Sequence, residues 1–145
     1  MSEKITVTLM DIADKLEETS ENWTQYLNIK TDEFVVLSDG SYFKPDYELA
    51  EKIEYSGDYV RLPTQHNINE YSIMEAFAEA TTDAIKREQL FRALKGRKPF
   101  RHFKDTMSYL GLEKAYYAFR HLAFLGIAKE WCEEHNIPYG RKEIK

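Results

Sequence analysis

Cysteine is nearly absent: Cys132 stands alone in 145 residues. No intrachain disulfide can brace the fold, and a reducing, cytoplasmic setting is the simplest expectation. Glycines number six and prolines four. The glycines make neither the Gly-x-Gly-x-x-Gly nor the Gly-x-x-x-x-Gly-Lys pattern, so neither common phosphate loop is present. Gly-x-Ser-x-Gly, Cys-x-x-Cys and His-Glu-x-x-His are also missing, so no motif points to acyl transfer or to zinc. Long apolar runs are lacking too. The most apolar stretch, Phe119 to Ala128, is interrupted by Arg120 and His121, which predicts no membrane span. The opening residues, Met1 to Val7, lack the apolar centre of a signal peptide.

What the chain does have is rings and an uneven charge. It is 43% hydrophobic and 14% aromatic, with ten Tyr and eight Phe. That suits a folded core rather than a disordered chain. Its length predicts one domain, placed at 1–138, with a loose basic tail over 139–145. The net charge of −5 hides a dipolar chain. Residues 1–85 carry six basic and 18 acidic side chains. From Lys86 to Lys104 there are eight Lys/Arg against one acid, Glu88. Residues 105–145 carry six of each sign. A local excess of this kind says more about partners than the average does.

Periodicity predicts an α+β fold. Ile5, Val7 and Leu9 alternate as a short extended entry, and Thr8 caps a helix from Leu9 to Glu18 with Ile12 and Leu16 inside. Glu21 to Asn28 and Phe34 to Leu37 read as a hairpin, joined by the polar Lys30 to Glu33 link. Asp39-Gly40 is a turn, Pro45-Asp46 opens a helix to about Ile53, and Asp58 to Leu62 adds a third strand. The second half is helical. Asn69 caps one helix, and Thr82 caps a second with Ile85, Leu90, Phe91 and Leu94 inside, ending near Gly96. Pro99 begins a third, stopped by Gly111. A last helix from Glu113 to His135 places Tyr116, Phe119, Ala123, Ile127 and Trp131 on one face. The result is a small antiparallel sheet packed against four or five helices, with the C-terminal half helical.

The helix at Pro99 is where the charge acquires direction. Phe100, Phe103, Met107 and Leu110 share its inner side, while Arg101, Lys104, Asp105 and Ser108 fall on the other. Arg97 and Lys98 precede it, beside unpaired N–H groups. Arg97, Lys98, Arg101, His102, Lys104 and Arg92 are therefore the candidate anion-binding residues, because cationic side chains and the positive helix end act together. Arg97, Lys98 and Arg101 make contact, Lys104 and Arg92 attract at longer range, and His102 lets pH tune the site. The opposing expectation is a solvated helix face, with charges neutralised inside the fold, for instance Arg101 by Asp105.

Tyr71-Ser72-Ile73-Met74, Leu94-Lys95-Gly96, Phe100-Arg101-His102-Phe103-Lys104-Asp105 and Ala128-Lys129-Glu130-Trp131-Cys132 together resemble a bacterial family known as uncharacterised protein family 0158. The hairpin Tyr26-Leu27-Asn28-Ile29-Lys30-Thr31 is similar to that family's early segment. The likeness runs from about Leu9 to Pro138 and is most specific at Phe100 to Asp105. The chain departs at His102, where the family pattern has Arg, at Asp32, where it has Gly, and at Tyr116 or Tyr117, often Trp. The resemblance implies a soluble bacterial or phage protein and no particular activity.

Other chemistry is thinly represented. Cys132 and His135 at i, i+3 are half of a metal site without a second pair, so no metal is expected. Cys132 with His102 or His121, or Ser72 or Ser108 with a histidine, would make a dyad only if folding brought them together. Glu17 with Glu21 and Glu75 with Glu79 are carboxylate pairs on solvent-facing helices, whereas acid catalysis needs a buried carboxyl, so a solvated surface is the expectation. Trp23, Tyr26, Phe34, Tyr42, Phe43, Tyr47, Tyr55 and Tyr59 are expected to pack between sheet and helices, with an interaction surface as the alternative. The favoured reading is a non-catalytic, cytoplasmic binding or adaptor module. Its basic face takes a nucleic acid, a nucleotide or an acidic protein, and no cofactor is needed. The alternative is an enzyme acting on a phosphorylated or nucleotide substrate.

Overall fold

A computed structural model describes residues 7–41 and 43–140. The chain divides into two compact units, one built from Met1–Ile68 with Phe124–Lys145 and the other from Asn69–Ala123.

The first unit is α+β. A two-residue strand, β1 (Val7–Thr8), leads into α1 (Leu9–Leu16). Thr8 caps α1 by accepting from the Asp11 N–H, and Asp11 Oδ2 accepts from the Thr8 N–H, so two orphan donors are satisfied reciprocally. Ile12, Ala13 and Leu16 are buried at i, i+1 and i+4. The hairpin forms as β2 (Trp23–Asn28) and β3 (Glu33–Ser38), with Tyr26 opposite Val35. Its loop is held by Asn28 Oδ1, which accepts from the Lys30 and Thr31 N–H groups. Asp32 closes the loop in left-handed backbone, φ 61°. That is the conformation in which glycine escapes the Cβ penalty, and it gives a physical reason for a glycine at this position.

Helix α2 (Tyr47–Ser56) follows, capped by Asp46, whose carboxylate accepts from the Leu49 N–H. No residue of α2 is buried. Strand β4 (Tyr59–Arg61) pairs antiparallel with β2, giving the order β3-β2-β4. On β2, Gln25 and Leu27 are buried two residues apart, as a strand's period requires. Gln25 Nε2 donates to the Lys15 carbonyl at 2.7 Å, tying β2 to α1. A short turn, α3 (Gln65–Ile68), ends this stretch.

The second unit holds α4 (Glu70–Ala80), α5 (Ala84–Lys95), α6 (Pro99–Tyr109) and the first part of α7 (Glu113–Glu134). Asn69 caps α4, as its sequence suggests. Asp83, rather than Thr82, caps α5, because its carboxylate accepts from both the Ile85 and Lys86 N–H groups. Leu90 and Leu94 are buried, but Ile85 is 72% exposed rather than internal. Pro99 is the first residue of α6, and Gly111 (φ 72°) follows its end.

The face of α7 differs from the expected stripe. Tyr116, Phe124, Ala128, Trp131 and Cys132 are buried, whereas Phe119, Ala123 and Ile127 are half-buried. The helix serves one unit up to Ala123 and the other from Phe124. No single stripe can describe a helix with two sets of neighbours. In the first unit, Trp131 Nε1 donates to the Arg61 carbonyl at 2.8 Å. Beyond α7, β5 (Tyr139–Gly140) pairs parallel with β1, so the first two residues assigned to a tail belong to the fold. Residues 141–145, Ile5 and Tyr42 lie outside the described residues.

Together these elements make an α+β fold with a three-stranded antiparallel sheet and a helical C-terminal half. Six helices have eight residues or more among the described residues, against the four or five expected. The aromatic expectation for the first half is met only in part. Trp23, Tyr26, Phe34 and Tyr59 are half-buried. Phe43, Tyr47 and Tyr55 are 60%, 71% and 75% exposed. None of the described helices is long and apolar enough to cross a membrane.

Candidate anion-binding site

The second unit holds ten basic and seven acidic residues, the first ten and 18. The charges are therefore +3 and −8 at neutral pH. The positive excess sits on α5, on α6 and on the Gly96-Arg97-Lys98 loop between them.

The loop is tight. Gly96 takes extended backbone, and the left-handed position falls on Lys98 at φ 48°. A lysine there carries a backbone penalty of about 1–2 kcal/mol that a glycine would not. Lys98 also supplies no side-chain acceptor to the first turn of α6, and Pro99 has no N–H to satisfy. The positive end of α6 is thus left open beside Arg97, Lys98 and Arg101.

The eight cations of the segment fall into two groups. Arg87 is half-buried, and its Nη1 donates to the Thr81 carbonyl. Arg92 pairs with Glu88 at 3.3 Å, both largely in solvent, so the pair contributes little stability. Lys86 is half-buried. Lys95, Arg97, Lys98, Arg101 and Lys104 are exposed, and none forms an ion pair among the described residues. The anticipated Arg101–Asp105 pair does not form.

Two of the six candidates meet in a groove. It is open, of about 430 Å³, and runs between α5 and α6. Gln89, Arg92 and Ala93 line one side; His102, Asp105, Thr106 and Tyr109 line the other. The residues from α6 recur at three- and four-residue steps, so they share one helix face. His102 sits at the loop end, where its Nδ1 is 3.8 Å from the position a Cβ on Gly96 would occupy. Arg97, Lys98, Arg101 and Lys104 are exposed outside the groove lining. Below, Phe103 and Met107 are buried as expected. Phe100 is not: it is 44% exposed and stacks on Tyr71 at 6.4 Å.

What sequence reasoning missed is the support beneath α6. Glu70 on α4 accepts two bonds at Oε2, from Tyr116 Oη at 2.8 Å and from Arg120 Nε at 2.7 Å. Both are on α7, at i and i+4. Tyr116 is fully buried, while the Arg120 and Glu70 side chains are 17% and 18% exposed. Burial and the bond to Glu70 push the Tyr116 phenol well above its ordinary range. The folded state holds that proton more tightly than the unfolded chain does. Its contribution is therefore complete below about pH 10 and is lost as pH rises beyond it. Phe77, Phe103 and Tyr116 meet edge-on around this network, at 5.3 to 6.4 Å between rings. An acid 46 residues before its tyrosine leaves no motif in the sequence.

Elsewhere the chemistry is quiet. Cys132 is buried, and desolvation pushes its thiol up to about 11, the opposite of an activated nucleophile. His135 Nδ1 lies 2.9 Å from the Trp131 carbonyl, which commits that nitrogen. No three His, Cys, Asp or Glu among the described residues are grouped to hold a metal. A cleft of about 360 Å³ in the first unit carries Arg61, Asn67, Glu130, Glu134 and His135, a mixture of signs unlike the cationic face.

Two variants test this construction. Glu70→Gln removes the charge that Arg120 answers and should cost about 2–4 kcal/mol in urea unfolding, with most of the loss reproduced by Arg120→Met. Lys98→Gly should instead raise stability by about 1 kcal/mol by relieving the left-handed backbone, read in the same assay. Comparison with protein-family models, curated proteins and solved structures found no match to this chain.

Proposed function

We propose that this protein is a non-catalytic cytoplasmic binding module whose α5–α6 face accepts a phosphate-bearing or otherwise anionic partner. The observation that carries the reading is the state of Lys95, Arg97, Lys98, Arg101 and Lys104. All five are exposed, and no acid pairs with any of them among the described residues. Like charges crowded along one loop and helix raise the energy of the free protein, and a polyanion relieves that repulsion while releasing its own counterions. Arg97, Lys98 and Arg101 would make direct contacts at the open end of α6. Lys104 would add attraction along the outer face, and Arg92 and His102 would act from the groove.

The enzyme alternative requires a deep pocket that holds a histidine or carboxylate near Arg101. His102 and Asp105 do line a groove, yet both are exposed and the groove is open. Such a surface suits recognition better than chemistry that must exclude water. Membership of uncharacterised protein family 0158 is part of the same proposal and lends it no activity.

Fluorescence anisotropy with labelled single-stranded RNA, duplex DNA and a nucleotide, across a salt series, tests the reading. Affinity should fall steeply with salt for at least one of them. The Arg97→Ala/Arg101→Ala variant should bind at least tenfold more weakly, with a salt slope lower by one to two and an unchanged urea midpoint. Loss of folding in that variant, or no binding at low salt, would place these cations in the fold or on an acidic protein instead.

A further inference from the structure

The cations account for attraction to any polyanion, but the groove they border is chemically more particular. Its far end is a tyrosine ring almost wholly in solvent, Tyr109 at 86% exposure. Burial explains Phe103 and Met107 on the same helix; it does not explain this ring. Between Tyr109 and His102 stand Asp105 and Thr106, with Gln89 opposite. Tyr109 lies seven helical steps beyond His102, a rise on the order of 10 Å. Cations therefore stand at one end of the groove, an aromatic wall at the other, and an amide, a hydroxyl and a carboxylate between.

An acidic protein segment makes poor use of this arrangement. Its carboxylates would be drawn to Arg97 and Arg101 but would meet Asp105 in the groove and Glu88 beside Arg92. A nucleobase reverses the sign of that contact. Its exocyclic amino group donates to a carboxylate or amide oxygen, and its face stacks on a ring. In a duplex those faces are covered by neighbouring bases, whereas in a single strand they are free.

On the basis of the anion-binding reading, we infer that the groove seats a base of a single-stranded nucleic acid, stacked on Tyr109, while Arg97, Lys98 and Arg101 hold the flanking phosphates. Gln89, Asp105 and Thr106 face the base edge. The two parts of the site make separable contributions. The phosphates supply the salt dependence, and the stacked base supplies affinity that salt leaves unchanged.

The test uses the full chain and two probes of equal length and charge: a short labelled single-stranded RNA of mixed sequence and its abasic ribose-phosphate counterpart. Wild type should bind the RNA more tightly than the abasic oligomer by between about fivefold and 100-fold. Tyr109→Ala should bring RNA down to the abasic level with the salt slope unchanged, and Tyr109→Phe should restore the difference. Equal binding of the two probes by wild type, or a difference that survives Tyr109→Ala, overturns the inference. If salt-dependent binding lost in the Arg97→Ala/Arg101→Ala variant persists in that case, the anion-binding reading stands alone. Absence of binding to both probes at low salt overturns both.

Discussion

The carboxylate of Glu70 is the point on which the helical unit turns. A single acid on α4 neutralises Arg120 and satisfies the buried Tyr116 hydroxyl. Both partners lie one turn apart on α7, so the bond pair fixes the rotation of α7 about its axis as well as its distance from α4. The rings follow from that rotation. Tyr116 is set where Phe77 and Phe103 can meet it edge-on, and Phe103 then determines which side of α6 faces inward. Polar groups removed from water and fully partnered in this way specify one arrangement, because half of the network would be worse than none. Among the described residues no buried side-chain polar atom is left without a partner.

The outer face of α6 is a consequence of this. Once Phe103 and Met107 are committed to the core, Arg101 and Lys104 must point to solvent, and His102, Asp105, Thr106 and Tyr109 must face α5. Among the described residues of this unit, the inward arginine with a carboxylate partner is Arg120, outside the basic segment. The unit's other strongly placed acids do not neutralise the segment: Asp83 caps α5 and Glu88 answers only Arg92. Five cations are left to solvent near a helix end that has no side-chain cap. Even the loop's backbone is set against stability, with a lysine where a glycine would sit without penalty. A structure that keeps such residues in such positions stores unfavourable energy at its surface, which an anion bound there would relieve.

Much of the fold could be read from the chain because its signals are local. The capping residues Thr8, Asp46 and Asn69, the proline at the start of α6 and the glycine after it act on their own neighbours. The hairpin and the added third strand likewise follow from alternation and turn residues. The misreadings have non-local causes. Thr82 and Asp83 are both competent caps, and only the backbone path decides that Asp83 reaches two N–H groups. Helix α7 changes neighbours partway along, so its periodicity blends two stripes and conceals both. Ile85 and Phe100 have core chemistry but stand 72% and 44% exposed, Phe100 meeting only the Tyr71 ring among the described aromatic contacts. For the site, the charge segment named its six candidate residues, of which the fold brings Arg92 and His102 into one groove and leaves the other four around it. Gln89, Thr106 and Tyr109 were invisible as site residues, since a polar or aromatic residue at helical spacing has no chemical signature until the opposite wall is known.

On the proposed reading, the α5–α6 face is where this protein meets an anionic partner. Its most direct test is a backbone-amide NMR titration of the folded chain with single-stranded RNA at low salt. Progressive shifts confined to Gln89–Ala93 and Arg97–Tyr109, reversed by added salt, are expected. Shifts gathered instead on α2 or around Arg61 and His135, or a spectrum that RNA does not move, would contradict it.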